Sequence, residues 1–117
     1  MSSWSPSLPA VSAESLSQVS EGGPLAVVLL WAIWDPACRR LDTWLQQAAA
    51  DYPNLHFYAM DLDQEQNWPT AKEWGITDTR TLVCLLNGVF HALLTGAGPE
   101  PRLRAKLAEW NNLHATG

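Results

Sequence analysis

The sequence predicts one α/β domain with the element order β-α-β-α-β-α-β-β-α, in which a mixed sheet carries helices on both faces. Two apolar runs, Leu25 to Trp31 and Thr81 to Leu86, lack the alternation of a half-exposed strand, so each is predicted to be a strand covered on both faces. Asn87-Gly88 follows the second run and is a strong signal for a tight hairpin. Strands that alternate with amphipathic segments and end in a hairpin favour this mixed architecture.

The N-terminal part is predicted to be an arm that leads into short elements. Residues 1–10 are rich in Ser and Pro and are assigned to a flexible arm, while residues 11–114 are assigned to the domain. Pro9 to Val11 is a candidate edge strand. Ser12 is a favourable N-cap for a short helix, which Gly22-Gly23 would end.

The middle of the chain alternates between helix and strand patterns. From Cys38 onward, apolar residues recur at helical spacing, and this helix is predicted to stop near Tyr52-Pro53 because the residue before a proline disfavours helical geometry. Leu55 to Met60 is the next predicted strand. The segment Asp61 to Gln64 is predicted to start a second helix, which Gly75 closes.

The C-terminal part contains the hairpin's second strand and a last helix. Val89 to Leu94 is predicted to return antiparallel to the preceding strand, and residues 96–99 form a loop. The last helix is indicated by apolar residues at helical spacing: Leu103, Leu107 and Trp110. Trp44, Trp68, Trp74 and Trp110 are each predicted to pack through one face of a helix.

Composition and charge exclude several classes of function. The net charge is −5 without a run of like charge, which argues against nucleic acids and anionic membranes as partners. The longest apolar run is too short to span a bilayer, and no Lys or Arg precedes Arg39, so neither a membrane anchor nor a targeting leader is expected. Two cysteines without a framework spacing fit a reducing compartment, and we expect a cytoplasmic protein.

Residues 31–40 are the junction between the first long strand and the helix that follows. Asp35 is a favoured N-cap and Pro36 suits the first helical position, so the Asp35 carboxylate is expected to accept a hydrogen bond from the amide of Ala37 or Cys38. Cys38 then lies in the first turn, where free amides and the helix dipole favour a thiolate.

The pattern Trp-Ala-x-Trp-x-x-x-Cys at residues 31–38 resembles the active-site segment of the thioredoxin family, which reads W-A-x-W-C-x-x-C. The element order is also similar, and the resemblance covers residues 9–113. Further segments resemble the family's local motifs, namely Asp61-Leu62-Asp63-Gln64, Trp74-Gly75-Ile76, Leu86-Asn87-Gly88 and Thr95-Gly96-Ala97. The resemblance implies a thioredoxin fold, with Trp34 half-exposed beside a groove and Trp31 in the core.

Three departures from that family pattern bear on function. The attacking cysteine is replaced by Asp35, which cannot form a mixed disulfide, and Cys38 matches the resolving position. The family's buried carboxylate is replaced by Leu29. The family's cis-proline is replaced by Arg80, so the Thr79–Arg80 bond is expected to be trans, because a cis bond without proline costs about 3–4 kcal/mol.

Within the family, the pattern is most similar to the single-cysteine domain at the N-terminus of multidomain monothiol glutaredoxins. There the motif looks like W-A-x-W-A-P-x-C, with proline directly behind the cap, as Pro36 is here. In those proteins the iron–sulfur chemistry belongs to a following glutaredoxin domain, and they usually keep the loop proline that Arg80 replaces.

Two functions are therefore considered, and a third is less favoured than either. The first is a protein-binding module that is a monomer or weak dimer, carries out no dithiol chemistry and holds no resident cofactor. Its protein partner would bind at a groove formed by Trp34, Asp35, Pro36, Ala37, Thr79, Arg80, Thr81 and Ala97. The second is a monothiol thiol–disulfide oxidoreductase with Cys38 catalytic and glutathione as co-substrate, held by Arg39 or Arg80. Iron–sulfur ligation by Cys38 across a dimer is the least favoured, and no metal-ligand spacing is visible.

Each of these residues also has a purely structural interpretation. Asp35 is either the helix cap alone or a residue that also tunes Cys38 or pairs with Arg80, and Cys38 is either a small core residue or a working thiol. Cys84 lies inside a buried strand and is predicted to be inert. Arg80 is either a solvated loop residue or the partner of Asp35 or of an anionic group.

Overall fold

The computed structural model describes residues 4–96 and 100–113. It contains a four-stranded sheet with the strand order β2-β1-β3-β4, formed by β1 (Leu25–Trp31), β2 (Leu55–Asp61), β3 (Thr81–Leu86) and β4 (Val89–Leu94). β1 runs parallel to β2 and antiparallel to β3, and β4 is antiparallel to β3, so the sheet is mixed as predicted. The α-helices are α1 (Ala37–Ala48), α2 (Trp68–Glu73) and α3 (Glu100–Asn111).

β1 is the central element of the core, because all seven of its residues are buried. Its alternate side chains point to opposite faces of the sheet, as strand geometry requires. One face packs against α1 and α3 through Leu29, Cys38, Leu45, Leu107 and Trp110. On the other face, Val28 and Leu30 of β1 pack in one cluster with Val19, Met60 and Ile76. The prediction of a strand covered on both faces is confirmed.

Several helix boundaries differ from the prediction. α1 ends at Ala48 rather than near Tyr52-Pro53, because the Asp51 amide bonds to the Ala48 carbonyl and the chain turns to bury Tyr52. The segment after Asp61 forms a short 3-10 helix, Glu65–Asn67, before α2 begins at Trp68. In that short helix, the Asn67 side chain accepts from the Ala13 amide and donates to the Asp61 carbonyl.

The short helix predicted after Ser12 is present, and it ends at the predicted Gly22 as a 3-10 helix over Leu16–Gly22. It begins later than Ser12, because the hydroxyls of Ser12 and Ser15 each accept a hydrogen bond from the other residue's amide, which makes a tight turn. The predicted edge strand at Pro9 to Val11 is reduced to a single parallel bridge between Ala10 and Ala59.

The N-terminal segment lies against the domain from Trp4 onward. Leu8 is buried, and the Trp4 ring packs edge-on against Trp31 with the ring centroids 5.3 Å apart. The carboxylate of Asp42, itself only 4% exposed, accepts hydrogen bonds from the Ser7 amide at 3.0 and 3.1 Å and from the Ser7 hydroxyl at 2.7 Å. The boundary predicted at residue 10 therefore falls inside packed chain.

The hairpin between β3 and β4 has the geometry that its sequence predicts. Asn87 and Gly88 both adopt positive φ angles, 54° and 82°, as a two-residue hairpin of this kind requires. The register shifts where Cys84 and Leu85 of β3 pair with Ala92 and Phe90, so His91 of β4 has no pairing partner on β3. None of the helices within residues 4–96 and 100–113 has both the length and the apolar composition that a bilayer span requires.

Candidate functional site

The site is built where β1 passes into α1. One carboxylate oxygen of Asp35, Oδ1, accepts a hydrogen bond from the Ala37 amide at 3.0 Å, so the predicted capping interaction is confirmed. Pro36 already has helical angles, φ −65° and ψ −22°. The first turn is tightened by bonds from the Cys38 amide to the Asp35 carbonyl and from the Arg39 amide to the Pro36 carbonyl. Asp35 is thereby fixed at the start of the helix.

The second oxygen of Asp35 faces the loop before β3. Oδ2 accepts a short hydrogen bond from the Thr79 hydroxyl and lies 3.3 Å from Nε of Arg80. The Asp35 side chain is 13% exposed and that of Arg80 is 40% exposed, so the pair covers the start of α1 and most of the Asp35 side chain is shielded from solvent. The predicted pairing of Asp35 with Arg80 is therefore present in the structure.

Arg80 adopts an unusual backbone conformation. Its φ is 60°, in the left-handed region that residues with a side chain rarely occupy, while its amide bonds to the Leu30 carbonyl at 3.1 Å. Such a conformation persists only where surrounding contacts hold it. Here the bond to β1 and the ion pair with Asp35 hold it, so the loop is locked against the helix start.

Cys38 lies below this pair and has no exposed surface. Burial is the largest influence on its thiol and raises its pKa, and the nearby Asp35 charge raises it too, whereas the backbone amides of Ala32 and Arg80 lower it. The net direction is upward, so the thiolate that the helix dipole would favour is suppressed. Burial also raises the pKa of the Cys84 thiol to about 12, in agreement with an inert core residue.

A thiol-labelling experiment checks the state of Cys38. In a Cys84→Ala background, we expect Cys38 to react with a disulfide reagent at least about tenfold more slowly in the native protein than in denaturant, because burial and a raised pKa both reduce the accessible thiolate. Its reactivity should rise with pH only above the range of a free thiol. Native reactivity equal to that of the denatured chain would contradict the buried position.

A groove lies beside the Asp35–Arg80 pair. It has a volume of about 680 Å³ and runs between Trp34, α2 and the loop before β3. Its floor is apolar, and two tryptophans stand at its wall with much of their surface in solvent, Trp34 at 67% and Trp68 at 54%. Exposed tryptophans at a concave surface are characteristic of binding sites.

The structure brings only part of the predicted site to this groove. Trp34 and Thr79 line it, and the Asp35–Arg80 pair lies next to Thr79. Pro36 is exposed and Ala37 is half-buried at the helix start. Thr81 is fully buried and donates to the Asp78 carbonyl, so its side chain is not available to a ligand. Ala97 lies outside the described residues.

Other residues line the groove that the sequence pattern does not indicate. Trp68, which is predicted to pack through a helix face, is instead exposed, and its indole N–H donates to the Leu62 carbonyl at the groove's edge. Leu62, Asp63 and Ile76 also line the groove. The one signal for the exposure of Trp68 is its place directly before Pro69 at the start of a helix, where a residue has few neighbours on its own helix.

Comparison with known proteins agrees with this architecture. A family model described as Thioredoxin matches residues 9–109. The chain belongs to the thioredoxin family. It is similar to Thioredoxin 2 of Chlorobaculum tepidum, with 27% identity over 93 residues that cover 80% of this chain and 84% of that protein. It is also similar to a thioredoxin H-type of Populus jackii, with 27% identity over 94 residues that cover 80% of this chain and 66% of that protein.

Solved structures agree as well. The X-ray structure of Fasciola hepatica thioredoxin matches with a TM-score of 0.73 and 26% identity, covering 88% of this chain and 98% of that one. Against the thioredoxin pattern, this chain has a carboxylate at position 35 that accepts two hydrogen bonds and forms an ion pair with Arg80, and it has a buried thiol at position 38. Across the part of the chain that the structure describes, no group of three or more His, Cys, Asp or Glu side chains could hold a metal ion.

Proposed function

We propose that this chain is a thioredoxin-family protein that binds a protein partner at the groove and does not carry out dithiol–disulfide exchange. The observation that carries the proposal is the engagement of Asp35. Its carboxylate caps α1, accepts from Thr79 and pairs with Arg80. Disulfide exchange requires a thiolate that attacks and a second thiol that resolves the mixed disulfide, and a carboxylate at position 35 can do neither.

The alternative, a monothiol oxidoreductase that uses Cys38 with glutathione, receives less support. A monothiol enzyme needs an accessible sulfur of lowered pKa, whereas Cys38 is completely buried and its pKa is raised. Arg80, which would hold a carboxylate of glutathione in that scheme, already pairs with Asp35. The relationship to monothiol glutaredoxin domains stays a prediction from the motif.

The catalytic half of the proposal is tested by reduction of insulin with dithiothreitol as electron donor. We expect the rate to equal that of dithiothreitol alone, and we expect Cys38→Ser to leave that rate unchanged, because the buried thiol does not exchange with a protein disulfide. A dithiol thioredoxin is the positive control. Turnover above background that disappears in Cys38→Ser would overturn the proposal.

The binding half is tested by selecting a displayed random heptapeptide library against the immobilised protein. Peptides are expected to be recovered, and their affinity is expected to fall roughly tenfold or more with Trp34→Ala, since an exposed tryptophan at the groove is the natural anchor. Val89→Ala is the matched control, because Val89 is also 67% exposed but lies outside the groove. Failure to recover any peptide, or equal loss in both variants, would overturn this half.

A further inference from the structure

The two tryptophans of the groove are held from the same short segment. The indole N–H of Trp34 donates to Oδ1 of Asp63 at 3.2 Å, and that of Trp68 donates to the Leu62 carbonyl at 2.8 Å. Because Leu62 and Asp63 are consecutive, the polar edges of both rings are fixed at one point of the groove wall. The N–H groups are satisfied, so the ring faces are what each tryptophan can still offer to a ligand.

The charges around these rings are unevenly distributed. Asp63 and Asp78 line the groove, and neither forms an ion pair with any described residue. Lys72 is the single cation among the described lining residues. Carboxylates beside exposed aromatic faces favour a cation, which gains from the ring quadrupole and from the counter-charge together.

The floor of the groove indicates what surrounds such a cation. Leu62, Ala71 and Ile76 supply apolar surface, and the volume of about 680 Å³ is large enough for two or three side chains. A free metal ion or a small ammonium compound would leave most of this apolar surface in contact with water. A peptide segment that carries an aliphatic residue next to a basic one would cover both parts.

From this arrangement we propose that the groove selects an extended peptide segment with a Lys or Arg side chain, whose charged end lies against the faces of Trp34 and Trp68 and is balanced by Asp63 and Asp78. This inference rests on the proposed binding function and adds the chemistry of the partner to it. Specificity follows from the same charges, because an acidic segment would meet two carboxylates that form no ion pair with any described residue.

The experiment begins with the heptapeptides recovered from the displayed library. A Lys or Arg is expected to be enriched at one position, next to an aliphatic residue. Synthetic peptides in which that residue is replaced by Gln are expected to bind roughly tenfold more weakly, as measured by the change in tryptophan fluorescence. Affinity for the basic peptide is also expected to fall as salt is raised.

Variants of the protein identify the groove as the source of this preference. Asp78→Asn is expected to weaken binding of the basic peptide several-fold and to leave binding of its Gln counterpart unchanged. Asp63→Asn keeps an acceptor for the Trp34 indole and is expected to act in the same direction. Glu73→Gln removes an equal charge from an exposed site outside the groove and is expected to have no effect.

The outcomes separate this inference from the proposed function. Peptides that bind through Trp34 without a basic preference would overturn the inference and leave the binding function standing. Equal weakening by Asp78→Asn and Glu73→Gln would also overturn it, since a general charge effect would then explain the preference. Recovery of no peptide at all would overturn both.

Discussion

Replacing Leu29 with aspartate is expected to lower the free energy of unfolding by about 3–5 kcal/mol at about pH 7, because an uncompensated charge would be placed in the core. Leu29 has no exposed surface, lies in the central strand and packs in the same cluster as Cys38. The loss would be a large part of the stability of a domain, which is about 5–15 kcal/mol. Urea unfolding followed by tryptophan fluorescence measures it.

The pH dependence of this variant has a definite sign. Burial raises the pKa of the introduced carboxyl above its value in the unfolded chain, so the folded state holds the proton more tightly. Stability is therefore recovered as pH falls towards the ordinary range of a carboxyl and is lost as pH rises. Leu29→Asn is the matched control, since it buries a polar group of the same size without a titrating charge. Equal behaviour of the two variants would contradict an unpaired buried carboxylate.

Introducing disulfide reduction into this chain is expected to require two changes, Asp35→Cys and Arg80→Gly together. The single change places a thiol under the Arg80 side chain, where position 35 is only 13% exposed. Glycine at position 80 removes that cover and tolerates the φ of 60°. Insulin reduction by the double variant is expected to exceed that of Asp35→Cys alone by about tenfold, since exchange depends on access to the attacking thiol.

Two controls define this result. Adding Cys38→Ser to the double variant is expected to remove the turnover, because the resolving thiol is then absent. Arg80→Gly alone is expected to remain at background. If Asp35→Cys alone is as active as the double variant, then Arg80 does not shield position 35.

Those features that depend on local patterns were predictable from the sequence. The limits of β1, the Asn87-Gly88 hairpin and the capping by Asp35 all follow from residues that are neighbours in the chain. The family resemblance extended this to the whole fold, which the match over residues 9–109 bears out. The pairing of Asp35 with Arg80 was foreseen as one of several alternatives, and only the folded chain selects among them.

Features that depend on contacts between distant segments were not predictable. The early end of α1 and the exposure of Trp68 are decided by where neighbouring segments pack, and neither leaves a distinct spacing in the sequence. The contact of Ser7 with Asp42 joins residues that are 35 positions apart. A Ser- and Pro-rich terminus gives no sign that a buried carboxylate elsewhere will accept its amides.

The shared use of Asp35 has a consequence for how position 35 tolerates substitution. One carboxylate starts a helix and also holds an arginine in a backbone conformation that is otherwise unfavourable. Any uncharged residue at position 35 that cannot accept the Ala37 amide therefore removes two interactions at once, the helix cap and the counter-charge of Arg80. The helix start and the loop before β3 are thus coupled through a single side chain.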